Sequence, residues 1–448
     1  MRDPMTASRR HDRFLIAASI QTLVLRASGM AASFALGILL ARLLKPEGLG
    51  IYGVAISLSL TMAAFAQAGL PTLAIREMAV AQERRDWSSL RGAAAWTLAN
   101  VAGLGLVLGL GLALSVLLFP GLYGADTTAI LIAAAMIAPL ALTTLIGAQL
   151  RAIGRLLGGQ ALEILVRPAA TLAICLAVAA GMGGLGPLQG LQANLVASVG
   201  ALALGVFWLI RALPGETREA SSTYRHAGWF KAAVPLAVVD AARQLDANYG
   251  ILVLGALAAN QDAGLFRVAM SIIVFLATPL SVAHVVLGPL LARLHDSGHR
   301  SELRRLMAFA ALAMAGAMLG AFLLIYFAGK WLLIAIFGGE YGASWLPLIM
   351  LTAAQLVNGC FGVGWVLLTM SGGERALSRS FLISVPVSVA IAVVLVPALG
   401  AVGAAWAAIA GAIVQNLIVW TAVRRIHAID CSVFGALALS RGASAGER

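Results

Sequence analysis

The sequence predicts an all-α integral membrane protein with about twelve transmembrane helices. Of its 448 residues, 61% are hydrophobic and only 11% are charged, whereas soluble proteins carry about 25% charged residues. The mean hydropathy is +0.93, and apolar stretches long enough to cross a bilayer, about 20 residues each, recur along the chain. These stretches show no strand-like alternation of polar and apolar residues, which favours helices over a transmembrane barrel.

Twelve apolar stretches define the predicted spans. They cover roughly residues 14–41, 48–72, 92–119, 127–150, 159–182, 186–210, 232–258, 263–290, 306–328, 343–370, 381–397 and 401–422. The uncharged runs 168–210 and 380–423 are too long for one crossing, and Gly- and Pro-rich turns at 181–187 and 397–400 divide each into a helical hairpin. The first stretch contains Arg26 and lacks a clear small-residue cleavage site, so we expect a retained span rather than a signal peptide.

The basic residues predict the orientation of the chain. If the N-terminus is cytoplasmic, 24 of the 31 Lys and Arg residues fall in cytoplasmic segments, and Arg42, Lys45 and Lys330 fall on the opposite side. The remaining four lie within predicted spans: Arg26, Arg167, Arg243 and Arg267. An excess of Lys and Arg marks cytoplasmic loops, so both termini are predicted to be cytoplasmic. The basic residues recur in short loops and form no single patch, which argues against nucleic-acid binding despite the net charge of +12.

The two halves of the sequence carry matching segments. Residues 48–56 (GLGIYGVAI) and 262–270 (DAGLFRVAM) share glycine, aromatic and alanine positions at an offset of 214, and the Leu-Gly pair at 185–186 recurs at 399–400. The constant offset predicts a duplicated six-span unit. Because six is even, both copies cross the membrane in the same sense, so the pseudo-two-fold axis runs along the membrane normal.

This duplication predicts five segments along the chain. They are a cytoplasmic N-terminus at 1–13, an N-lobe of six helices at 14–210, a cytoplasmic inter-lobe loop at 211–231, a C-lobe of six helices at 232–422 and a cytoplasmic tail at 423–448.

The first hairpin of the chain carries a recognisable pattern. Residues 40–52 read LARLLKPEGLGIY and residues 69–77 read GLPTLAIRE, with weaker matches at 245–255 and 264–266. In these segments the chain resembles the Wzx-type polysaccharide and O-antigen flippases of the MOP exporter superfamily. Arg267 departs from the pattern, since that family usually carries a small or polar residue after the aromatic one.

The resemblance implies a function as well as a fold. It implies a flippase of the bacterial inner membrane that moves an undecaprenyl-diphosphate-linked oligosaccharide from the cytoplasmic to the periplasmic leaflet by alternating access, in polysaccharide or lipopolysaccharide biosynthesis. The partners it implies are the lipid-linked oligosaccharide, membrane lipid and a polysaccharide polymerase or export machinery. We expect no catalytic residue, metal or cofactor, because the sequence has no HExxH, CxxC or phosphate-binding glycine loop.

Three arginines are candidates for balancing the charge of the substrate: Arg26, Arg243 and Arg76. A charged residue at the centre of a span costs about 2.5–3.5 kcal/mol on insertion scales, so a retained one is by default a functional candidate. The planar, permanently charged guanidinium also suits a diphosphate. The alternative for Arg26 is a structural tie to a helix carbonyl or to Asp246, and the alternative for Arg76 is topological anchoring at the end of a span.

Asp240, Asp246 and Asn248 are candidates for cation coupling or a gate in the seventh span. The first two lie at spacings of three from Arg243, which places all three charges near one helical face. The alternative is an internally neutralised cluster that keeps a cleft hydrated. Coupling by Na+ or H+ stays open, because the eleventh span offers no acid and only two polar candidates, Ser384 and Ser388.

Two other functions compete with the flippase. A MATE-like cation-coupled exporter of drugs or metabolites would have the same fold. A polysaccharide polymerase or ligase would need catalytic groups on a large periplasmic loop, and the longest such loop, at 329–342, holds only Lys330 and Glu340 as charged residues.

Overall fold

A computed structural model describes residues 4–119, 126–224 and 226–438 of the chain. Every regular element within those ranges is a helix, and nine of their helical segments are long and apolar enough to cross a membrane. The predicted all-helical class is therefore confirmed. The chain divides into two compact units, each described below by itself.

Unit one comprises the residues up to Leu44 together with Ala55–Ala241. Its helices are α1 (Pro4–Gln67, shared with unit two), α2 (Leu70–Glu83), α3 (Trp87–Leu118), α4 (Thr127–Ala152), α5 (Leu156–Ala161), α6 (Arg167–Met182), α7 (Pro187–Ala212), α8 (Gly215–Glu219) and the first part of α9 (His226–Leu257). A π-helical turn, Leu162–Val166, joins α5 to α6.

Unit two comprises Lys45–Val54 together with the residues from Ala242 onward. Its helices are the remainder of α9, α10 (Asn260–Leu276), α11 (Thr278–Asp296), α12 (Arg300–Phe337), α13 (Trp345–Cys360), α14 (Gly364–Met370), α15 (Glu374–Leu399) and α16 (Ala401–His427). A 3-10 turn, Gly339–Ser344, precedes α13.

Helix α1 contains the junction between the first two predicted spans. Its helical pattern is interrupted at Lys45, which has a φ of 57°. The next residue, Pro46, has no N–H to donate. The second predicted span ends at Gln67 rather than at 72, because Ala68 and Gly69 adopt positive φ angles of 46° and 71°. Gly69 is required there for space as well, since a Cβ atom would lie 2.6 Å from the backbone nitrogen of Ala237.

Two predicted spans are divided in the structure. The stretch 263–290 forms α10 and α11, because Pro279 at the start of α11 cannot continue the helical hydrogen-bond pattern. The stretch 343–370 forms α13 and α14, separated at Gly362, whose φ is +64° and whose Cβ position would lie 2.7 Å from the carbonyl oxygen of Cys431. Each of these two predicted spans therefore consists of two shorter helices.

Both predicted helical hairpins are confirmed. Helix α6 ends at Met182 and α7 begins at Pro187, whose fixed φ suits a first helical position. Helix α15 ends at Leu399 and α16 begins at Ala401.

Amide side chains tie neighbouring helices together. In unit one, Gln149 of α4 donates from Nε2 to the Thr97 hydroxyl and to the carbonyl of Ala94, each at 3.1 Å. In unit two, Asn416 of α16 donates to Asn358 of α13 at 2.7 Å. Such intramembrane bonds stabilise a membrane protein by about 0.6 kcal/mol each on average, so they mainly fix helix registers.

The segment before α9 and the start of α9 pack on α3 within unit one. Arg91 of α3 donates to the carbonyl of Ala220 at 2.8 Å, and the Thr223 amide donates to the carbonyl of Ser88 at 3.1 Å. Trp229 is buried, with its ring 5.4 Å from that of Trp96. Part of the predicted inter-lobe loop is therefore fixed to α3.

The chain folds back on unit two after α16. Asp430 Oδ1 accepts hydrogen bonds from the Trp420 indole at 2.9 Å and from the Ser432 hydroxyl at 2.6 Å. Cys431 is buried in the same core as Val423. Burial alone would raise the pKa of Asp430, but these hydrogen bonds, together with the charge of Arg424, hold that pKa below its ordinary value of 3.8.

Replacing Asp430 with alanine is expected to lower the free energy of unfolding by about 1 kcal/mol at neutral pH, because Trp420 and Ser432 lose their acceptor. The folded-state pKa is depressed, so this stabilisation is complete above 3.8 and is lost as the pH falls below it. Denaturant unfolding of the detergent-solubilised protein at neutral and strongly acidic pH tests this. Asp296→Ala, which removes an exposed carboxylate of the same unit, is the control. An equal gap between wild type and Asp430→Ala at both pH values would contradict the assignment.

Candidate functional site

Arg26 lies on α1 in unit one. Its side chain is exposed, and among the residues that the structure describes it has neither a hydrogen-bond nor an ion-pair partner. Gly29, about one turn further along the helix, is buried. It packs so closely on Ile164 that a Cβ at Gly29 would clash with the Ile164 backbone. The helix is thus packed closely at Gly29, while the side chain of Arg26 is exposed.

Arg76 lies in the middle of α2 in the same unit and is already paired. Its Nε and Nη2 both donate to Glu77 Oε1, at 3.2 and 3.0 Å. The other carboxylate oxygen of Glu77 accepts from the Trp229 indole at 3.2 Å. The Arg76 side chain is 60% exposed, so the pair leaves much of the guanidinium uncovered.

The charged cluster predicted on α9 is divided between the two units. Asp240 belongs to unit one, and Arg243 and Asp246 belong to unit two. Arg243 is exposed, and no carboxylate lies within 4.0 Å of its guanidinium among the described residues. The guanidinium of Arg243 is therefore not neutralised by a described acid.

Asp246 and Asn248 belong to a polar group within unit two. Asp246 is half-buried and interacts electrostatically with Tyr249, whose hydroxyl also interacts with the Ser388 side chain of α15. Asn248 is buried, and its amide donates to the carbonyl of Gln244 at 2.9 Å, which leaves its side-chain oxygen as an acceptor. Tyr249 thus interacts both with an acid of α9 and with one of the two serines of α15 that the sequence singled out.

Tyr249 was not among the predicted site residues. Its position three residues after Asp246 would place the two side chains on one face of a helix, but within an apolar span a tyrosine resembles any other large core residue. Ser384 is also buried, and its hydroxyl oxygen has no hydrogen-bond partner among the described residues. In the described part of the chain, no three His, Cys, Asp or Glu side chains come together as a metal site.

The repeated segments make reciprocal contacts within unit two. A Cβ at Gly264 would clash with the carbonyl of Pro46, and a Cβ at Gly50 would clash with the carbonyl of Asn260. Asn260 stands 214 residues after Pro46, and Gly264 stands 214 residues after Gly50. The two contacts are therefore equivalent under the offset of 214: Gly50 packs on Asn260 as Gly264 packs on Pro46.

Arg267 also contacts the first of the two repeated segments. Its offset counterpart is Gly53, and a Cβ at Gly53 would lie 2.8 Å from Arg267 Cδ. The guanidinium carbon is 5.3 Å from the centre of the Tyr52 ring, in the range of a cation–π interaction. The departure from the flippase pattern at this position is thus accommodated by a glycine and an aromatic ring of the first repeat.

A model of the polysaccharide biosynthesis protein family matches residues 17–295, which is more than half of the chain. The chain belongs to this family. The resemblance to Wzx-type proteins found in the sequence is thereby confirmed. No curated protein matches the sequence.

Solved structures show which fold this family member adopts. An inward-facing multidrug resistance MATE transporter of the MOP superfamily is similar with a TM-score of 0.76 and 16% identity, over 90% of this chain and 98% of that one. The lipid II flippase MurJ in an inward closed conformation is similar with a TM-score of 0.66 and 14% identity, over 91% and 87%. An outward-facing MATE transporter is similar with a TM-score of 0.58 and 15% identity, over 92% of this chain and 94% of that one. The chain is therefore a multi-pass integral membrane protein with a MATE-like fold.

Proposed function

We propose that this protein is a flippase that moves an undecaprenyl-diphosphate-linked oligosaccharide from the cytoplasmic to the periplasmic leaflet of a bacterial inner membrane. Membership of a polysaccharide biosynthesis family and a fold shared with a lipid II flippase support the proposal. The observation that carries it is Arg26, an exposed guanidinium within an apolar span that no described residue neutralises. A diphosphate headgroup supplies the missing negative charge.

The proposed topology has twelve crossings with both termini in the cytoplasm. The kink at Lys45 separates two crossings within α1. Three other crossings are each formed by two consecutive helices: α5 and α6, α10 and α11, and α13 and α14. The reciprocal packing of Gly50 and Gly264 supports the pseudo-two-fold relation between the halves. The lobes would alternate between access to the two leaflets, with 14–210 and 232–422 as the moving halves.

A MATE-like cation-coupled exporter is the second candidate. Unit two offers oxygen ligands suited to Na+, or a site for H+. They come from Asp246, Tyr249 and Ser388 and from the side-chain oxygen of Asn248. In the flippase, this group would couple an ion gradient to transport or act as a gate. Asp240, in unit one, is a separate candidate for the same role. A polymerase or ligase is disfavoured, because Glu340, the one acid of its longest predicted periplasmic loop, is an exposed partner of Lys45 at 3.8 Å.

Depletion of the protein in cells separates the two main candidates. We expect the lipid-linked oligosaccharide to accumulate in the cytoplasmic leaflet, as measured by its protection from an enzyme or label that reaches only the periplasmic side. Re-expression of the protein should restore periplasmic exposure. Unchanged exposure of the lipid together with reduced efflux of a cationic dye would reject the flippase in favour of the exporter.

A further inference from the structure

A cavity of about 610 Å³ lies within unit one, apart from every residue assigned above. Its wall includes Gln21, Arg155, Leu156, Leu157, Trp208 and Arg211. Among the described residues, two arginines and no acid line it, and neither guanidinium lies within 4.0 Å of a described carboxylate. The cavity therefore combines an unneutralised double positive charge with an apolar wall.

The cavity lies at the C-terminal ends of α4 and α7 and the start of α5. Helix α4 ends at Ala152, and a turn through Gly154, with a φ of +83°, leads to Arg155 immediately before α5. Arg211 lies in the last turn of α7, where its guanidinium carbon is 4.4 Å from the centre of the Phe207 ring. The two arginines are thus fixed by separate helices around one space.

The remaining wall suits a lipid chain. Leu156 is 49% exposed and Leu157 36% exposed, so the leucines beside the arginines present apolar surface to whatever fills the cavity. Trp208 is half-buried, with its ring 3.6 Å from the position that a Cβ of Gly158 would occupy. Tryptophan beside arginine is typical of the depth at which lipid headgroups meet acyl chains. The topology predicted from the basic residues places this end of the helices at the cytoplasmic leaflet.

We propose that this cavity binds an anionic membrane phospholipid, with Arg155 and Arg211 on its phosphate and the leucines and Trp208 along the start of its acyl chains. Arginine binds phosphate oxygens through paired N–H donors, and the surface of the cytoplasmic leaflet is rich in anionic lipid. Neither Arg26 nor Arg76, the substrate-charge residues, lines this cavity, so the proposal goes beyond the proposed function and stands without it.

The test uses the purified full chain and lipid retention measured by native mass spectrometry. Wild-type protein in equal mixtures of phosphatidylglycerol and phosphatidylcholine is expected to retain the anionic lipid with about a fivefold preference, and Arg155→Gln with Arg211→Gln to bring that preference close to parity. Arg304→Gln with Arg305→Gln, which removes two exposed charges from unit two, is the matched control and should keep the preference. An unchanged preference in the Arg155/Arg211 variant would overturn the proposal.

Two further measurements keep the test decisive. If the glutamine variant does not fold, Arg155→Lys with Arg211→Lys retains both charges and is expected to keep at least half of the preference; parity in this folded variant would overturn the proposal. Millimolar inorganic phosphate added to protein in phosphatidylcholine alone should leave the thermal unfolding temperature unchanged. A rise matching that caused by phosphatidylglycerol would show a site for a free anion and overturn its assignment to a lipid.

Discussion

Replacing Arg26 with alanine is expected to slow translocation of the lipid-linked oligosaccharide by about tenfold to a hundredfold. A hydrogen bond to a charged group contributes about 1.5–3 kcal/mol, and each 1.36 kcal/mol lost from a transition state slows a step about tenfold. The prediction follows from the exposed guanidinium of Arg26, which has no described partner. The measurement is the rate at which the oligosaccharide becomes accessible on the periplasmic side.

Three variants make this experiment specific. Arg26→Lys keeps the positive charge without the planar fork and should retain an intermediate rate. Arg84→Ala removes an exposed arginine of the same unit outside the predicted spans and should leave the rate unchanged. The amount of each protein in the membrane is measured in parallel. A wild-type rate in normally inserted Arg26→Ala would assign Arg26 a structural role and remove the charge-recognition argument.

Arg76 and Arg243 are expected to contribute less than Arg26, for different reasons. Arg76 is already bonded to Glu77 by two N–H groups, so an incoming anion must compete with an existing partner. Arg243 is exposed and carries no such pair among the described residues, but it lies three residues from each of Asp240 and Asp246, whose negative charges weaken its attraction for an anion. We expect alanine at either position to slow translocation by less than about tenfold, measured in the same assay.

The sequence predicted helix ends where glycine and proline cluster, and it missed them where a break is isolated. The turn at 181–187 contains four glycines and a proline within seven residues, so the α6–α7 hairpin was predictable. The apolar run 263–290 contains Pro279 and Pro289, and α11 continues through Pro289. Because membrane helices often tolerate a proline, the sequence did not indicate which of the two marks a helix boundary. The π-helical turn at Leu162–Val166 has no recognisable sequence pattern.

The candidate site was predictable only where a residue type is costly in a membrane. Arg26, Arg243 and Asp246 were identified because charge within a span needs an explanation. The role of Tyr249 and the contacts of Ala220, Thr223 and Trp229 with α3 depend on residues distant in sequence, which composition and spacing do not specify. Arg155 and Arg211 were counted only as markers of orientation, because their convergence on one cavity follows from how α4, α5 and α7 pack.

Replacing Gly50 or Gly264 with valine is expected to destabilise unit two by about 1–3 kcal/mol or more. Each new side chain would meet a backbone carbonyl, that of Asn260 or that of Pro46, and a backbone cannot rotate away as a side chain can. The measurement is thermal unfolding of the purified protein, followed by loss of its monodisperse fraction. Gly316→Ala is the control, because a Cβ there meets nothing within 4 Å; alanine generally favours a helix, so no loss is expected.

The reciprocity of these contacts makes the prediction stricter than a claim about two tight glycines. If the repeats are related by a pseudo-two-fold axis, Gly50→Val and Gly264→Val act on opposite sides of one interface and should lower the unfolding temperature by similar amounts. The double variant should then lose less than the sum of the single variants, because the first substitution already separates the segments that the second would crowd. A large loss for one glycine with none for the other would show ordinary local packing and withdraw the support that this contact gives to duplication.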